Sequence, residues 1–186
     1  TVEVKNLSVK YNTASGAVGG TNAVAIDWAP VISGDTSPLE GLAGDVTLTV
    51  SGLVRLNLGG YVLTAGAFTL GKSSATIAGA TADLLTIDLN NLNLFVGVGA
   101  SFAGETGDIV TTTGSGATLS TVATGFLASG ANLSVAMAKS RAANDTRRWT
   151  GIAASAASMS AVGLPDTFTV EVKNLSVKYN TASGAT

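Results

Sequence analysis

Residues 1–17, TVEVKNLSVKYNTASGA, return letter for letter as residues 169–185, and the identity stops at Val18 against Thr186. Chance does not produce a match of this length, so the chain holds a repeat with a period of 168 residues. Solenoid and propeller repeats run to about 20–50 residues, so this unit has the size of a domain. Residues 1–168 read as one complete β-rich unit and 169–186 as the first strand of the next, cut from a tandem array. A unit has one slot for that strand and the chain has two copies, so one copy is expected to be surplus. The surplus copy would either cap the unit's other end or meet neighbouring identical units head to tail, through Val2, Val4, Leu7, Val9 and Tyr11 or through Val170, Val172, Leu175, Val177 and Tyr179.

The hydrophobic period throughout is two. Val2 and Val4 alternate with Glu3 and Lys5, and the phase slips at Asn6 so that Leu7, Val9 and Tyr11 continue on odd numbers, as at a β-bulge. After a Gly/Ser-rich linker, Val24, Ile26 and Trp28 predict a short strand ended by Pro30. From Val46 to Leu58 the even positions are apolar. Gly59-Gly60 is a hairpin signal, and Val62, Phe68 and Leu70 keep the parity until Lys72-Ser73-Ser74 closes the strand. Thr76–Ala82 reads as a further strand. Leu85, Ile87 and Leu89 shift phase at Asn90-Asn91 into Leu92, Leu94, Val96 and Val98, a second bulge, with Gly97 and Gly99 marking a bend or a close backbone approach. Residues 103–117 read as a polar turn region, 119–128 and 131–139 as two strands, and the Ala/Ser-rich 149–162 as a strand by its alternation of size. No segment sustains the 3.6-residue period of a helix.

The fold class that follows is all-β: an elongated antiparallel β-roll or sandwich of long strands, one unit of a tandem array. Residues 45–58 alone would span roughly 40 Å at about 3.3 Å per residue, long for an immunoglobulin-like sandwich.

Composition closes most functional classes. Charged residues are 12% and the net charge is −2, so no basic field exists to hold nucleic acid. There is no Cys and no His, which removes thiolate zinc sites, cysteine nucleophiles and the commonest general base. No apolar run reaches the length of about 18 residues that a transmembrane helix needs. The chain opens within a strand pattern, without a signal peptide, which places the natural start elsewhere.

The segments VTLTVSGLVRLNLGGYVLTAGAFTL, LLTIDLNNLNLFVGVGASF, GFLASGANLSVAMAK and FTVEVKNLSVKYNTA resemble domain-sized β-rich tandem repeats of very large bacterial exported, adhesin-like surface proteins. The resemblance lies in strand-and-turn texture and covers most of the unit. It implies an extracellular or cell-surface structural role and supplies no site residues.

Calcium is the cofactor such chains often take, with oxygen ligands available from Asp35 and Glu40, from Glu105 and Asp108, and from Asn144 and Asp145. The ion needs six to eight oxygens, no EF-hand loop is present, and these residues read equally as turn formers. Glu105 and Asp108 stand three apart in one Gly-rich loop, which does not make the opposed carboxyl pair of a glycosidase. Lys139 with Ser134 or Ser140 can be drawn as a Ser–Lys dyad that nothing singles out. Arg141, Arg147 and Arg148 cluster at a turn, which reads first as a solvated hairpin tip and second as a grip for a carboxylate or phosphate. Trp28 and Trp149 are either sugar-stacking platforms or, more in keeping with their small neighbours, packing anchors. The leading expectation is a non-enzymatic structural repeat of an extracellular fibre. The alternative is a carrier or conduit for apolar ligands. An outer-membrane barrel is disfavoured by aromatics at only 5%.

Overall fold

The computed structural model describes every residue except 33–38, 40, 105–107, 114–120, 166, 168 and 186. Among the described residues there is no helix. The strands are β1 (Val2–Tyr11), β2 (Ala17–Val18), β3 (Thr21–Asn22), β4 (Val46–Leu58), β5 (Val62–Ile77), β6 (Ala80–Val98), β7 (Ser101–Ala103), β8 (Asp108–Val110), β9 (Thr112–Thr113), β10 (Thr121–Val122), β11 (Thr124–Ser140), β12 (Arg148–Val162) and β13 (Glu171–Ser183). Seven of them form one antiparallel sheet in the order β1-β4-β5-β6-β11-β12-β13, an up-and-down meander, and the rest form two-stranded hairpins β2-β3, β7-β8 and β9-β10. The protein is all-β and built of long strands, and the sheet is open: β1 and β13 lie at opposite edges.

Sequence signals place most of the turns. Gly59 and Gly60 have φ of 63° and 79°, and Tyr61 N donates to Leu58 O at 3.1 Å. Two successive positive φ values make a tight turn whose twist matches its strands, and with Tyr61 completing the three-residue connection β4 and β5 pair as the Gly-Gly signal predicts. The bulges fall at Asn6 and Asn91, each with φ of 51°; Asn174 repeats the left-handed backbone, φ 54°, while the β12-β13 register runs past it without a shift. Asparagine accepts this left-handed conformation better than other residues with a side chain. Gly97 faces Gly125 across β6 and β11, and a Cβ on Gly97 would stand 2.1 Å from Thr124 O. The close approach expected there is real.

Four sequence expectations need correction. Strand β5 does not stop at Lys72–Ser74. It continues to Ile77 because the ladder uses backbone groups and tolerates polar side chains, and the turn comes at Ala78-Gly79, φ 49° and 80°. Of the two strands expected over 119–128 and 131–139, residues 124–140 form one strand, β11, bulged at Gly130, while Thr121–Val122 are β10 and residues 119 and 120 lie outside the described residues. Residues 24–28 form no strand, and the linker before them contains the β2-β3 hairpin over Gly19-Gly20. The polar region 103–117 includes β8, and the β7-β8 hairpin brings Phe102 and Ile109 against a cluster of Leu63, Phe95 and Ala123, each 0% exposed.

Cross-strand partners share a face, so the register sorts the sheet. The row Val9, Val50, Leu70, Ile87, Val135, Ile152, Tyr179 crosses all seven strands, as does Val2, Leu56, Thr64, Leu94, Ala128, Met159, Val172. The opposite face carries Ser8, Ser51, Thr69, Asp88, Ser134, Ala153 and Lys178 in one row. The fully buried cluster of Leu63, Phe95 and Ala123 lies at one end of this second face. The accessible surface is 11571 Å², against about 8,100 Å² for a compact chain of this mass. Much apolar area that a globular domain would bury stays open to solvent.

Candidate functional site

The duplicated strand occupies both edges of the sheet, and this corrects the expectation of a single slot with one surplus copy. The N-terminal copy is β1, paired with β4. The C-terminal copy is β13, paired with β12. An odd number of strands in an alternating meander makes the two edge strands run in the same direction.

In an antiparallel ladder the N–H and C=O of one residue point to the same side, and successive residues alternate. Asn57 N donates to Thr1 O at 2.9 Å and Asn12 N to Thr47 O at 3.1 Å. With the register, these two bonds orient the whole of β1: Thr1, Glu3 and Lys5, then Ser8, Lys10 and Asn12, turn their backbone groups toward β4. Val2, Val4, Leu7, Val9 and Tyr11 turn theirs outward. In β13, Ala161 N donates to Val170 O at 3.1 Å and Thr146 N to Ala185 O at 2.9 Å. There Val170, Val172, Leu175, Val177 and Tyr179 turn toward β12, while Glu171, Lys173, Ser176, Lys178 and Asn180 turn outward. Each of the five inward residues of β13 is the repeat of an outward residue of β1. One sequence therefore pairs through opposite sides in its two positions, and the left-handed backbone at Asn6 and Asn174 flips both copies at the same point.

The side chains of the ten expected interface residues lie on the sheet's apolar face or at its bulges, and all are exposed, from 40% for Val172 to 70% for Val2. Their surroundings differ. Strand β1 ends in an anchor that β13 lacks: Asn12 is 4% exposed, donates through Nδ2 to Ile26 O at 2.9 Å and Ala43 O at 3.0 Å, and accepts from Trp28 Nε1 at 3.1 Å. Its repeat, Asn180, is exposed. Sequence reading passed over Asn12. The only signal available was a polar residue closing an apolar strand before an irregular segment. Strand β13 is held at its end by Thr146, whose Oγ1 accepts from Ala185 N at 2.9 Å and lies 3.1 Å from Ala185 O.

The remaining candidates do not converge. Asp35, Glu40 and Glu105 lie outside the described residues. Asp108 begins β8 and Asn144 sits in the β11-β12 turn with φ of 64°. Asp145 is engaged by Arg147, Nη2 to Oδ2 at 2.7 Å and Nε to Oδ1 at 2.9 Å. That pairing, with help from the Ser140 hydroxyl, holds the Asp145 carboxyl well below the usual carboxylate range. Among the described residues no three metal-ligating side chains cluster. Arg141 bonds Asp83 through Nε at 2.8 Å, which lowers the Asp83 pKa, so two of the three turn arginines are paired with the chain's own acids. Lys139 projects from the apolar face, while Ser134 and Ser140 project from the other, so no dyad forms. Trp28 anchors a loop through Asn12, and the Trp149 ring lies 5.5 Å from the Arg147 guanidinium.

Among the described residues no helix is long and apolar enough to cross a membrane. What the geometry offers is two edges made of one sequence. No family model, curated protein or solved structure matches the chain.

Proposed function

We propose that the chain is a structural repeat of an exported bacterial surface protein, a fibre or giant adhesin, acting as an extended stalk assembled from identical units head to tail. The observation that carries this reading is the opposite-sided pairing of the two copies. In an array each copy is at once the last strand of one unit and the first of the next, bonded to β12 behind it and β4 ahead. The outward and inward sides of the segment are both proven ladder surfaces, each in one of its two positions. Six main-sheet strands per 168 residues return the chain to the same direction, so units join without a change of geometry. Sheet pairing then continues across unit boundaries, and stiffness comes from backbone bonds, with no catalytic residue required. Antibodies to this chain should label intact cells that produce the parent protein, and micrographs of the shed parent should show thin fibres. Labelling only after lysis would overturn the reading.

A second reading, carriage of an apolar ligand, is favoured by a groove of about 270 Å³ on the apolar face between Leu94, Phe126, Met159 and Val172. Saturable uptake of a fluorescent fatty acid, lost in Met159→Lys, would support it over the stalk.

A further inference from the structure

We infer that β12 is an acceptor edge for the N-terminal strand of a second copy of this chain, so that copies exchange edge strands and link head to tail. The exchange rests on the stalk reading above, because both use the shared strand, and deepens it by naming the partner and the paired groups.

The β12 edge recognises a defined ligand: a strand of sequence VEVKNLSVKYN, left-handed at its first asparagine, offering the backbone groups of Val170, Val172, Leu175, Val177 and Tyr179. Strand β1 is that sequence, carries the same left-handed asparagine with φ the same to within a few degrees, and presents the same groups at the sheet edge with no strand beside them among the described residues. Nothing has to refold for it to fit. The register is already specified by the chain's own β13: Val4 opposite Met159, Val9 opposite Ala154, Tyr11 opposite Ile152. The incoming β1 keeps its bonds to its own β4 because those leave from its other side. The product is a strand bonded on both sides, and the displaced β13 is released as a tail.

Because donor and acceptor lie on opposite edges, a molecule that gives β1 at one edge still has its own β12 open to the next. The contact is heterologous and propagates into chains. The interaction is strand addition, in which main-chain bonds supply affinity and side-chain pockets specificity. Val2 and Val4 would take the places of Val170 and Val172, which form one wall of the apolar groove beside Phe126 and Met159.

The resident β13 competes. It is tethered by a short connection, which gives it an effective concentration in the millimolar range. Exchange in the unaltered chain is therefore expected near that concentration and at lower ones when β13 is weakened. Proline separates the two roles, because it deletes one backbone donor. Val177→Pro removes a donor that bonds β12. Val9→Pro removes the equivalent donor of β1, which points to solvent, where proline is tolerated at a sheet edge.

The test is sedimentation of the intact chain and its variants over a concentration series. Val177→Pro should associate at concentrations at least about tenfold below the unaltered chain, one lost ladder bond being worth about that factor. Adding Val9→Pro to it should return the chain to monomer. A second measurement covers the case in which Val177→Pro fails to fold: the labelled peptide TVEVKNLSVKYNTASGA, in excess, should be captured by the unaltered chain. The peptide carrying Val9→Pro should be captured at least tenfold less, and the one carrying Lys10→Pro as well as the original. A monomeric Val177→Pro chain with native circular dichroism overturns the exchange, as does peptide capture lost through Lys10→Pro instead of Val9→Pro. Association that survives the added Val9→Pro also overturns it, and points to the apolar face. Any of these leaves cell-surface labelling and fibre images unaffected, so failure of exchange and failure of the stalk reading are told apart.

Discussion

Strands β1 and β13 are the same peptide in two settings, and comparing them separates what a segment decides from what its neighbours decide. Both are extended, both turn left-handed at the same asparagine, and both put their valines on the apolar face. They differ in which side bonds and in how their ends are held. β1 is pinned by a buried side chain, Asn12, that ties it to residues 26, 28 and 43. β13 leaves the equivalent asparagine in solvent and is held by Thr146 on the neighbouring turn. Lys5 is 20% exposed next to Glu3, itself paired with Arg55, whereas Lys173 is 65% exposed and has Glu171 at 3.0 Å. A strand's shape is thus a local property, and its partners are not.

The sharpest way to test this contrast is at the anchor. Asn12→Ala should cost about 3 kcal/mol, because it strands the Trp28 indole N–H and two carbonyls in a buried site. Asn180→Ala should cost less than about 0.5 kcal/mol, as an exposed change does. Urea midpoints of the two variants check it, and equal midpoints would mean that the two copies are interchangeable in their surroundings as well as in sequence.

The left-handed asparagine should behave the other way. Asn6→Ala and Asn174→Ala each place a less tolerant residue at φ near 50°, at about 1 kcal/mol each, and the two costs should match because the strain is internal to the strand. A difference of more than a factor of two between them would show that the neighbouring strand, β4 or β12, shapes that conformation.

The smallest effect is titratable. Asp145 and Arg147 brace the turn that carries Thr146, and the Asp145 pKa is depressed in the folded chain. Such a group stabilises the fold above its unfolded pKa, and that contribution is lost as pH falls through the lower folded value. Amide protection at Ala185 should therefore drop by a factor of a few below about pH 3, while that of Asn12, whose anchor has no ionisable member, should not follow. Asp145→Asn should remove the pH dependence at Ala185. Hydrogen exchange read by NMR decides, and parallel loss at both ends would place the acid sensitivity elsewhere.

Much of the fold was legible because its determinants are local. Parity located β4 and β6, Gly59-Gly60 located the hairpin that joins β4 to β5, and the asparagine phase slips located two bulges, all consequences of side chains alternating across a strand. The misreadings came where backbone bonding ignored side-chain character: Lys72–Ser74 lies inside β5, and residues 24–28, though alternating, have no strand beside them. For the candidate site, sequence reading named ten residues of the repeated strand, which the structure places on the two edge strands, but it did not foresee that arrangement. It expected one slot and a surplus strand, since identical sequences carry no mark of which side they will bond.

The sequence by itself determined that this chain is all-β, that residues 1–17 return 168 positions on, that the returning segment is a strand whose phase slips at its asparagine, and that no cysteine or histidine chemistry is open to it. These follow from composition and from a period of two, which any isolated stretch displays. Only the tertiary structure decided that the two copies sit at opposite edges and bond through opposite sides. A strand has two hydrogen-bonding sides of equal chemistry. Which one is used depends on where the rest of the chain delivers a partner, and that is a property of the whole sheet.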